Sequence, residues 1–241
     1  MAETVKKIPW LTIGAEAAAI VVSILLAFSI DAWSERRVER ELEAEYLQRV
    51  GDELKDARAV LESILREVNG NMLFAPDLNE FFDGRMAADD HQRLIVAIYK
   101  FGLNPLLGFD VSTFDDLVST GRLRLISDPE VRQAIQRAYA GLQRLGPLRD
   151  PRRDEYMAAL SGWLPQAVRQ QIRAACPEYS AYSACSDLHL DDEAVRRIVE
   201  RIDTPQALLA FQMREYTLGT LRGIGQATLV ILDETLERLE R

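Results

Sequence analysis

LQRVGDELKDARAVLESILREV, residues 47 to 68, carries an apolar side chain at every third or fourth position without interruption. These positions are Leu47, Val50, Leu54, Ala57, Leu61, Ile64 and Val68. On an α-helix this spacing places them on one face, so the stretch predicts a helix with an apolar seam of about three heptads. Such a seam packs either against other helices of the same chain or against a second copy in a coiled coil.

The predicted helix extends beyond the seam towards the N-terminus. Residues 31–70 contain no proline, and charges of both signs alternate densely, as on a solvated helical face. Continued backward in the same register, the seam would run through Glu43, Arg40 and Arg36, which are not typical core residues. The sequence therefore predicts a long helix over 31–70. The face that is apolar from Leu47 onward carries charged residues nearer the start of this helix, so the apolar run before it and the seam are expected to pack separately.

An apolar run precedes this helix. Residues 10–30 are long enough for a helix to cross the hydrocarbon core of a bilayer, which needs about 20 residues. A signal peptide cleaved near Ala27 and Ser29 is the alternative, but its apolar region is usually shorter. We therefore expect a short tail over 1–9 and an uncleaved transmembrane helix over 10–30.

One face of this helix is suited to contact with another helix. Thr12, Glu16, Ala19 and Ser23 step by four, three and four along the sequence. A charge near the bilayer centre costs about 2.5–3.5 kcal/mol, so intramembrane acids usually face a partner or water. Glu16 either bonds to a partner helix, or is protonated or snorkelling and inert, or carries protons or ions in an assembly.

The remaining segments, 71–241, are predicted to be helical as well. Asn, Gly and Pro in NGNMLFAPDLNEFFDG, residues 69–84, predict a linker, and no segment shows convincing strand-like alternation. The last segment begins at Thr204, has Pro205 in its first turn and predicts a helix over 204–240. The expected fold is all-α: an antiparallel bundle of two long helices, with several short helices between them.

Polar residues mark where the short helices begin. The predicted N-caps are Asp89 or Asp90, then Thr113, and then Ser127, with a glutamate three residues after Ser127 completing a capping box. Gly121 is expected to end the helix that Thr113 begins. In the C-terminal helix, Gly219, Gly223 and Gly225 predict the close approach of a neighbouring helix or a kink, and a small-ligand niche is the alternative.

Composition narrows the chemistry. A net charge of -9 and a pI near 4.9 disfavour binding to nucleic acid. The chain lacks a P-loop, a dinucleotide-binding fingerprint and a zinc-protease motif, so we expect no catalysis and no cofactor. DLHLDD, residues 187–192, could offer ligands to a divalent cation, but a helix N-terminus explains its aspartates better, so no metal site is predicted.

The membrane topology is predicted from two further features. Lys6 and Lys7 before the apolar run nearly balance the three arginines at 36, 37 and 40, so the positive-inside count does not decide orientation. Cys176 and Cys185 would form a disulfide in an oxidising compartment or stay two free thiols in a reducing one. A disulfide is the preferred reading, and we expect the N-terminus inside and the domain outside.

Two segments carry a resemblance to a known family. IGAEAAAIVVSILLAFSIDAWSERR, residues 13–37, and STFDDLVSTGRLRLISDPEVR, residues 112–132, resemble the recurring segments of a family of bacterial single-pass membrane proteins without an established activity. The matching residues are Gly14, Glu16, Asp31, Trp33, Thr113, Phe114, Leu117, Ser119 and Gly121. The resemblance implies an N-terminal anchor and a helical domain, and no mechanism.

Together these features lead to one expected function and one alternative. We expect a single-pass bacterial inner-membrane protein whose periplasmic helical domain binds or scaffolds another envelope protein, or a second copy of itself. The alternative is a membrane-anchored helical bundle that senses a small molecule. The expected partners are the lipid bilayer and either another membrane or envelope protein or a second copy of this chain, and nucleic acid is not expected to bind.

Overall fold

The structure is a computed structural model that describes residues 10–103, 108–149, 155–176, 185 and 188–241, with side chains throughout except at 10–20 and 149. The α-helices are α1 (Trp10–Met72), α2 (Ala75–Phe82), α3 (His91–Phe101), α4 (Ser112–Ser119), α5 (Pro129–Leu145), α6 (Glu155–Trp163), α7 (Gln166–Ala175), α8 (Asp192–Ile202) and α9 (Pro205–Leu239). Short 3-10 turns cover Ala88–Asp90, Arg122–Leu125 and Pro147–Arg149. These residues include no β-strand, and the expected all-α fold is confirmed.

α1 is one unbroken helix of 63 residues, about 95 Å long at 1.5 Å per residue. The apolar run and the helix expected after it are therefore parts of a single element. Every residue from Val21 to Ile30 is exposed, and the first buried side chain after them is Tyr46. Within the part of the chain that the structure describes, no helix has both the length and the hydropathy that a bilayer span requires.

The apolar seam of α1 packs against the C-terminal helix of the same chain. Val50, Leu54, Leu61, Ile64 and Val68 are fully buried, Ala57 is 3% exposed, and Leu47 is partly buried against the same core. The two helices run antiparallel, since Leu65 lies against Gly225 and Arg58 bonds to Asp233 nearer the start of α1. The bundle thus buries the seam by itself, without a second copy.

Close helix contacts explain some of the bundle's glycines. A Cβ built at Gly225 would lie 2.9 Å from Leu65 Cδ2 across the α1–α9 interface. A Cβ at Gly141 of α5 would lie 2.9 Å from Thr228 Cγ2 on α9. Cβ atoms built at Gly219 and Gly223 meet nothing within 4 Å, so the expectation of close approach is wrong at these two positions.

The linker expected over 69–84 is wrong for most of its length. α1 continues to Met72, and α2 occupies Ala75–Phe82. Asn71 fits the last turn of α1 because its buried amide donates a hydrogen bond to Leu103 O at 2.6 Å. Pro76 lies in the first turn of α2, where a missing N–H costs little.

Two of the three expected caps are wrong. Asp90 does lie at the N-cap position of α3, although its side chain makes no capping bond, whereas Val111 rather than Thr113 precedes α4. Asp128, not Ser127, caps α5 by accepting hydrogen bonds from the backbone N–H groups of Glu130 and Val131. Thr113 and Ser127 each bond to a residue of α1 instead of capping a helix. Thr113 N–H donates to Glu53, and Ser127 donates to Glu43.

The end of the bundle away from the apolar run is held by aromatic contacts. Phe211 of α9 packs against Phe82 and Phe101, and Tyr156 packs between Phe101 and Trp163. The phenol of Tyr156 donates to Ile98 O at 2.9 Å, so its buried hydroxyl is satisfied. This cluster ties α2, α3 and α6 to the first turns of α9.

Candidate functional site

A buried polar cluster joins α1 to the segment that follows α3. Glu53 of α1 is only 8% exposed, and its carboxylate accepts hydrogen bonds from Thr113 N–H (2.8 Å), Ser112 Oγ (3.5 Å) and the Tyr139 phenol. Burial, together with the bond to Glu53, raises the pKa of Tyr139 far above its ordinary value. Tyr139 therefore stays a neutral donor, and Glu53 is a carboxylate held by three donors.

The second segment of the family resemblance forms the surface that packs on this cluster. Phe114 stacks on Tyr139 with ring centroids 4.2 Å apart, Leu117 is fully buried, and Thr113 is 6% exposed. Gly121 has a φ of 68°, a left-handed conformation that lets the chain turn sharply after α4. Ser119 lies on the exposed side, where its hydroxyl donates to Asp116 O. Thr113 and Phe114 thus fasten α4 to α1 and α5, Leu117 lies in the core, and Gly121 turns the chain after α4.

Two further contacts lie along α1 towards the apolar run. The Tyr46 phenol donates to Asp116 Oδ2 at 2.7 Å and accepts a hydrogen bond from Arg122 at 2.8 Å. Glu43 Oε1 accepts from both the N–H and the hydroxyl of Ser127, at 2.6 and 2.8 Å. Residues 112–127 are therefore bonded to α1 at three levels, Glu53, Tyr46 and Glu43, and we call this arrangement the α1 dock.

An open groove lies between α1 and the end of the α1 dock nearest the apolar run. Its volume is about 1410 Å³, part of which is open to solvent. It is lined by Trp33, Arg36, Glu39, Arg40, Glu43, Arg124, Leu125 and Ser127, and we call it the stalk groove. The positions to which the seam register extends backward thus line this groove instead of entering the core.

The stalk groove is where the two segments of the family resemblance meet. Trp33 belongs to the first segment and Leu125 to the second, and both line the groove. Asp31 is exposed two residues before Trp33. Of the residues expected on the membrane contact face, Ser23 is exposed on α1, while the side chains of Thr12, Glu16 and Ala19, and likewise Gly14, lie outside the described residues.

The cysteine loop closes on the opposite end of the bundle. Cys176 and Cys185 form a disulfide with their Cα atoms 4.1 Å apart, and Cys176 is 1% exposed. The buried ammonium of Lys100 donates to Cys176 O at 3.2 Å. Beyond the disulfide, the side-chain amide of Gln92 donates to Leu188 O and accepts from Leu190 N–H. Both ends of the loop are therefore fastened to α3.

The aspartates that follow this loop serve α8. Asp191 accepts a hydrogen bond from Ala194 N–H at 2.9 Å, which is the N-cap geometry. Among the side chains that the structure describes, no three His, Cys, Asp or Glu residues are grouped so that they could hold a metal ion. Asp187 lies outside the described residues.

A small apolar niche lies among the aromatic side chains of the bundle's far end. Its cavity volume is about 10 Å³, about the room that a single water molecule needs, and Phe81, Phe82 and Trp163 are among its lining residues. Pockets for drug-sized ligands have volumes of about 300–1,000 Å³ and present a few convergent polar groups. The niche is smaller and almost wholly apolar, which suits a packing defect better than a metabolite site.

Sequence reasoning missed the polar members of the α1 dock. Glu53 and Tyr139 are 86 residues apart, and neither stands in a motif that signals a contact. The one available signal was the position of Glu53 beside the apolar seam, next to Leu54.

Comparisons with protein-family models, with curated proteins and with solved structures give no match.

Proposed function

We propose that this chain is a single-pass bacterial inner-membrane protein whose helical bundle acts by binding or scaffolding another envelope protein, without catalysis. One observation carries the proposal: residues 21–30 of the apolar run are exposed on every side of α1, and the helix continues from them without a break into the core of the bundle. Membrane insertion buries the first part and leaves the second in water.

The exposure of this part of α1 is the energetic basis of the proposal. Leu25, Phe28 and Ile30 are 59, 68 and 63% exposed, and Val21, Val22, Ile24 and Leu26 are all at least 50% exposed. A helix that is apolar on every side is normally buried in a protein core or a membrane. Burying these seven side chains is worth on the order of 10 kcal/mol, which a bilayer supplies without a protein partner.

The unbroken helix gives the bundle a fixed position relative to the bilayer. Tyr46, the first core residue, lies 16 positions after Ile30, which corresponds to about 24 Å along the axis. We call residues 31–45 of α1 the stalk. Only one side of the stalk is covered by the α1 dock, and Val38 on it is 60% exposed. A bundle held off the membrane by a partly bare stalk leaves room for a partner beside the bilayer.

A periplasmic location is the orientation that the cysteine pair favours. Structural disulfides persist in oxidising compartments and are rare in the cytosol. Cys176 and Cys185 are bonded, and both pack with the core of the bundle rather than with the apolar part of α1. We therefore place the N-terminus in the cytosol and the bundle in the periplasm.

The absence of catalysis is proposed from the use that the chain makes of its polar groups. In the α1 dock, Glu53 of α1 bonds to Tyr139 of α5, and Asp116 of α4 bonds to Tyr46 of α1. The Glu53–Tyr139 pair lies in the interior. A catalytic carboxylate needs access to a substrate, which Glu53 lacks. These groups hold helices together.

The test is co-purification of the full chain from bacterial membranes after cross-linking, followed by mass spectrometry. The expected result is a defined partner or a defined homo-oligomer that is lost in Glu16→Leu, because Glu16 lies on the face with Thr12, Ala19 and Ser23. Val21→Leu, on the opposite side of the helix, is the matched control and should keep the complex. If both variants keep the complex, the anchor does not contact the partner. If the native chain purifies as a monomer with no cross-linked protein, the scaffold function is wrong.

A further inference from the structure

The stalk groove combines unpaired arginines with apolar surface at the level where a bilayer would end. We infer that it binds the phosphate group of an anionic phospholipid, so that the bundle is fixed to the membrane surface by a lipid as well as by the anchor. The inference rests on the proposed membrane insertion. It adds a ligand class and a binding site to that proposal.

The arginines of the groove have donors to spare. Arg36 and Arg40 each use Nε on a backbone carbonyl of their own helix, at 2.8 and 3.0 Å, which leaves their terminal nitrogens for a ligand. Arg124 is exposed on the opposite wall, and none of the three forms an ion pair within the described part of the chain. Arg37 differs, since it is paired with Glu41 at 3.0 Å.

The acidic residues of the groove compete only in part with a phosphate group for the groove arginines. Glu43 is engaged by two donors from Ser127, so its charge is largely satisfied inside the α1 dock. Glu39 is the other carboxylate of the lining. The three guanidinium groups therefore outnumber the free carboxylate, and planar guanidinium groups match phosphate oxygens with paired hydrogen bonds.

The height of the groove fits a headgroup. The polar layer of a bilayer is about 5–8 Å thick on each side of the hydrocarbon. Along α1, Trp33 lies about 4.5 Å and Arg36 about 9 Å beyond Ile30, so the groove opens at the outer edge of this layer. Long arginine side chains can reach several ångströms back towards it.

The apolar wall favours a lipid over a soluble anion. Trp33 is 57% exposed and Leu125 is partly buried, and both line the groove. Tryptophan is enriched at membrane interfaces, where its ring meets the glycerol region while its N–H stays in polar surroundings. A free phosphate ion would gain nothing from this apolar wall.

Arg144, in the last turn of α5, lies away from the stalk groove. Glu130, at the start of α5, bonds to Arg238 at the end of α9, whereas Gly141 further along meets Thr228. α5 therefore runs away from the stalk groove and carries Arg144 to the far end of the bundle. The groove arginines belong instead to the stalk and to the turn that the α1 dock holds in place.

The test uses the full chain in nanodiscs made of phosphatidylcholine alone or of equal parts phosphatidylcholine and phosphatidylglycerol. Native mass spectrometry then counts the lipids retained on the released protein. The native chain should retain phosphatidylglycerol preferentially, and Arg36→Gln/Arg40→Gln/Arg124→Gln should lower this preference about fivefold or more, the effect of one basic residue near an anionic surface. Arg37→Gln/Arg196→Gln/Arg201→Gln, with the same change in net charge, should keep it.

Three outcomes would overturn the inference. The first is that the groove variant prefers phosphatidylglycerol as strongly as the native chain does. The second is that the control variant loses this preference as much as the groove variant. The third is that inorganic phosphate displaces the retained phosphatidylglycerol, which would mark a site for a soluble anion. Insertion is scored separately in phosphatidylcholine nanodiscs. If the native chain fails to insert there, the proposed anchor fails; if it inserts but shows no lipid preference, only the lipid site fails.

Discussion

Replacing Gly141 with alanine tests the packing of α5 on α9 against a matched site. A methyl group at Gly141 would lie 2.9 Å from Thr228 Cγ2, 3.0 Å from Oγ1 and 3.4 Å from Cβ. Alanine gains about 1 kcal/mol of helix propensity, but overpacking a core costs about 1–3 kcal/mol. Gly223→Ala meets nothing within 4 Å and keeps the whole gain. We expect Gly223→Ala to be more stable than Gly141→Ala by about 1–3 kcal/mol.

The assay is urea unfolding of the full chain in a mild detergent, followed by tryptophan fluorescence, since Trp163 lies in the aromatic cluster. A double variant, Gly141→Ala/Thr228→Ala, removes the Cγ2 and Oγ1 atoms that the new methyl group meets. We expect the Gly141 substitution to cost less in this background than in the native one, a positive coupling. A Gly141→Ala variant as stable as Gly223→Ala would refute the close contact between α5 and α9.

Three further substitutions test the dock, the loop and a cap by the same unfolding assay. Glu53→Ala should cost about 2–3 kcal/mol, because Tyr139 and a backbone N–H lose their charged acceptor in the interior; an exposed-site cost below about 0.5 kcal/mol would contradict this. Cys176→Ser/Cys185→Ser opens a loop of about ten residues and should cost about 2–3 kcal/mol, and an unchanged midpoint under oxidising conditions would contradict the bond. Asp128→Ala should lower the free energy of unfolding by about 1 kcal/mol, because Asp128 is the N-cap of α5. An unchanged stability would contradict this assignment and favour Ser127 as the cap.

The helical class and the two long helices were predictable because their signals are local and repeated. The three-and-four spacing from Leu47 to Val68 specifies both a helix and the face that it buries. The core confirms that face: five of the seam residues are fully buried. Thr204 and Pro205 likewise place the start of α9 by local capping chemistry alone.

The remaining features depend on partners far away in sequence. Ser127 and Asp128 are both competent caps, and the choice follows from Glu43, 84 residues away, which binds Ser127. The α1 dock depends on Glu53 and Tyr139 meeting across 86 residues. Similarly, glycines 219, 223 and 225 look alike in sequence, but only Gly225 faces another helix.

The association of the apolar part of α1 with a bilayer is tested most directly by extraction of bacterial membranes at alkaline pH. The native full chain should stay in the membrane pellet. Val21→Arg/Leu25→Arg should release it to the supernatant, since each charge within the run costs up to about 2.5–3.5 kcal/mol, whereas Val38→Arg on the exposed stalk should leave it in the pellet. A native chain that is extracted into the supernatant would contradict the membrane anchor.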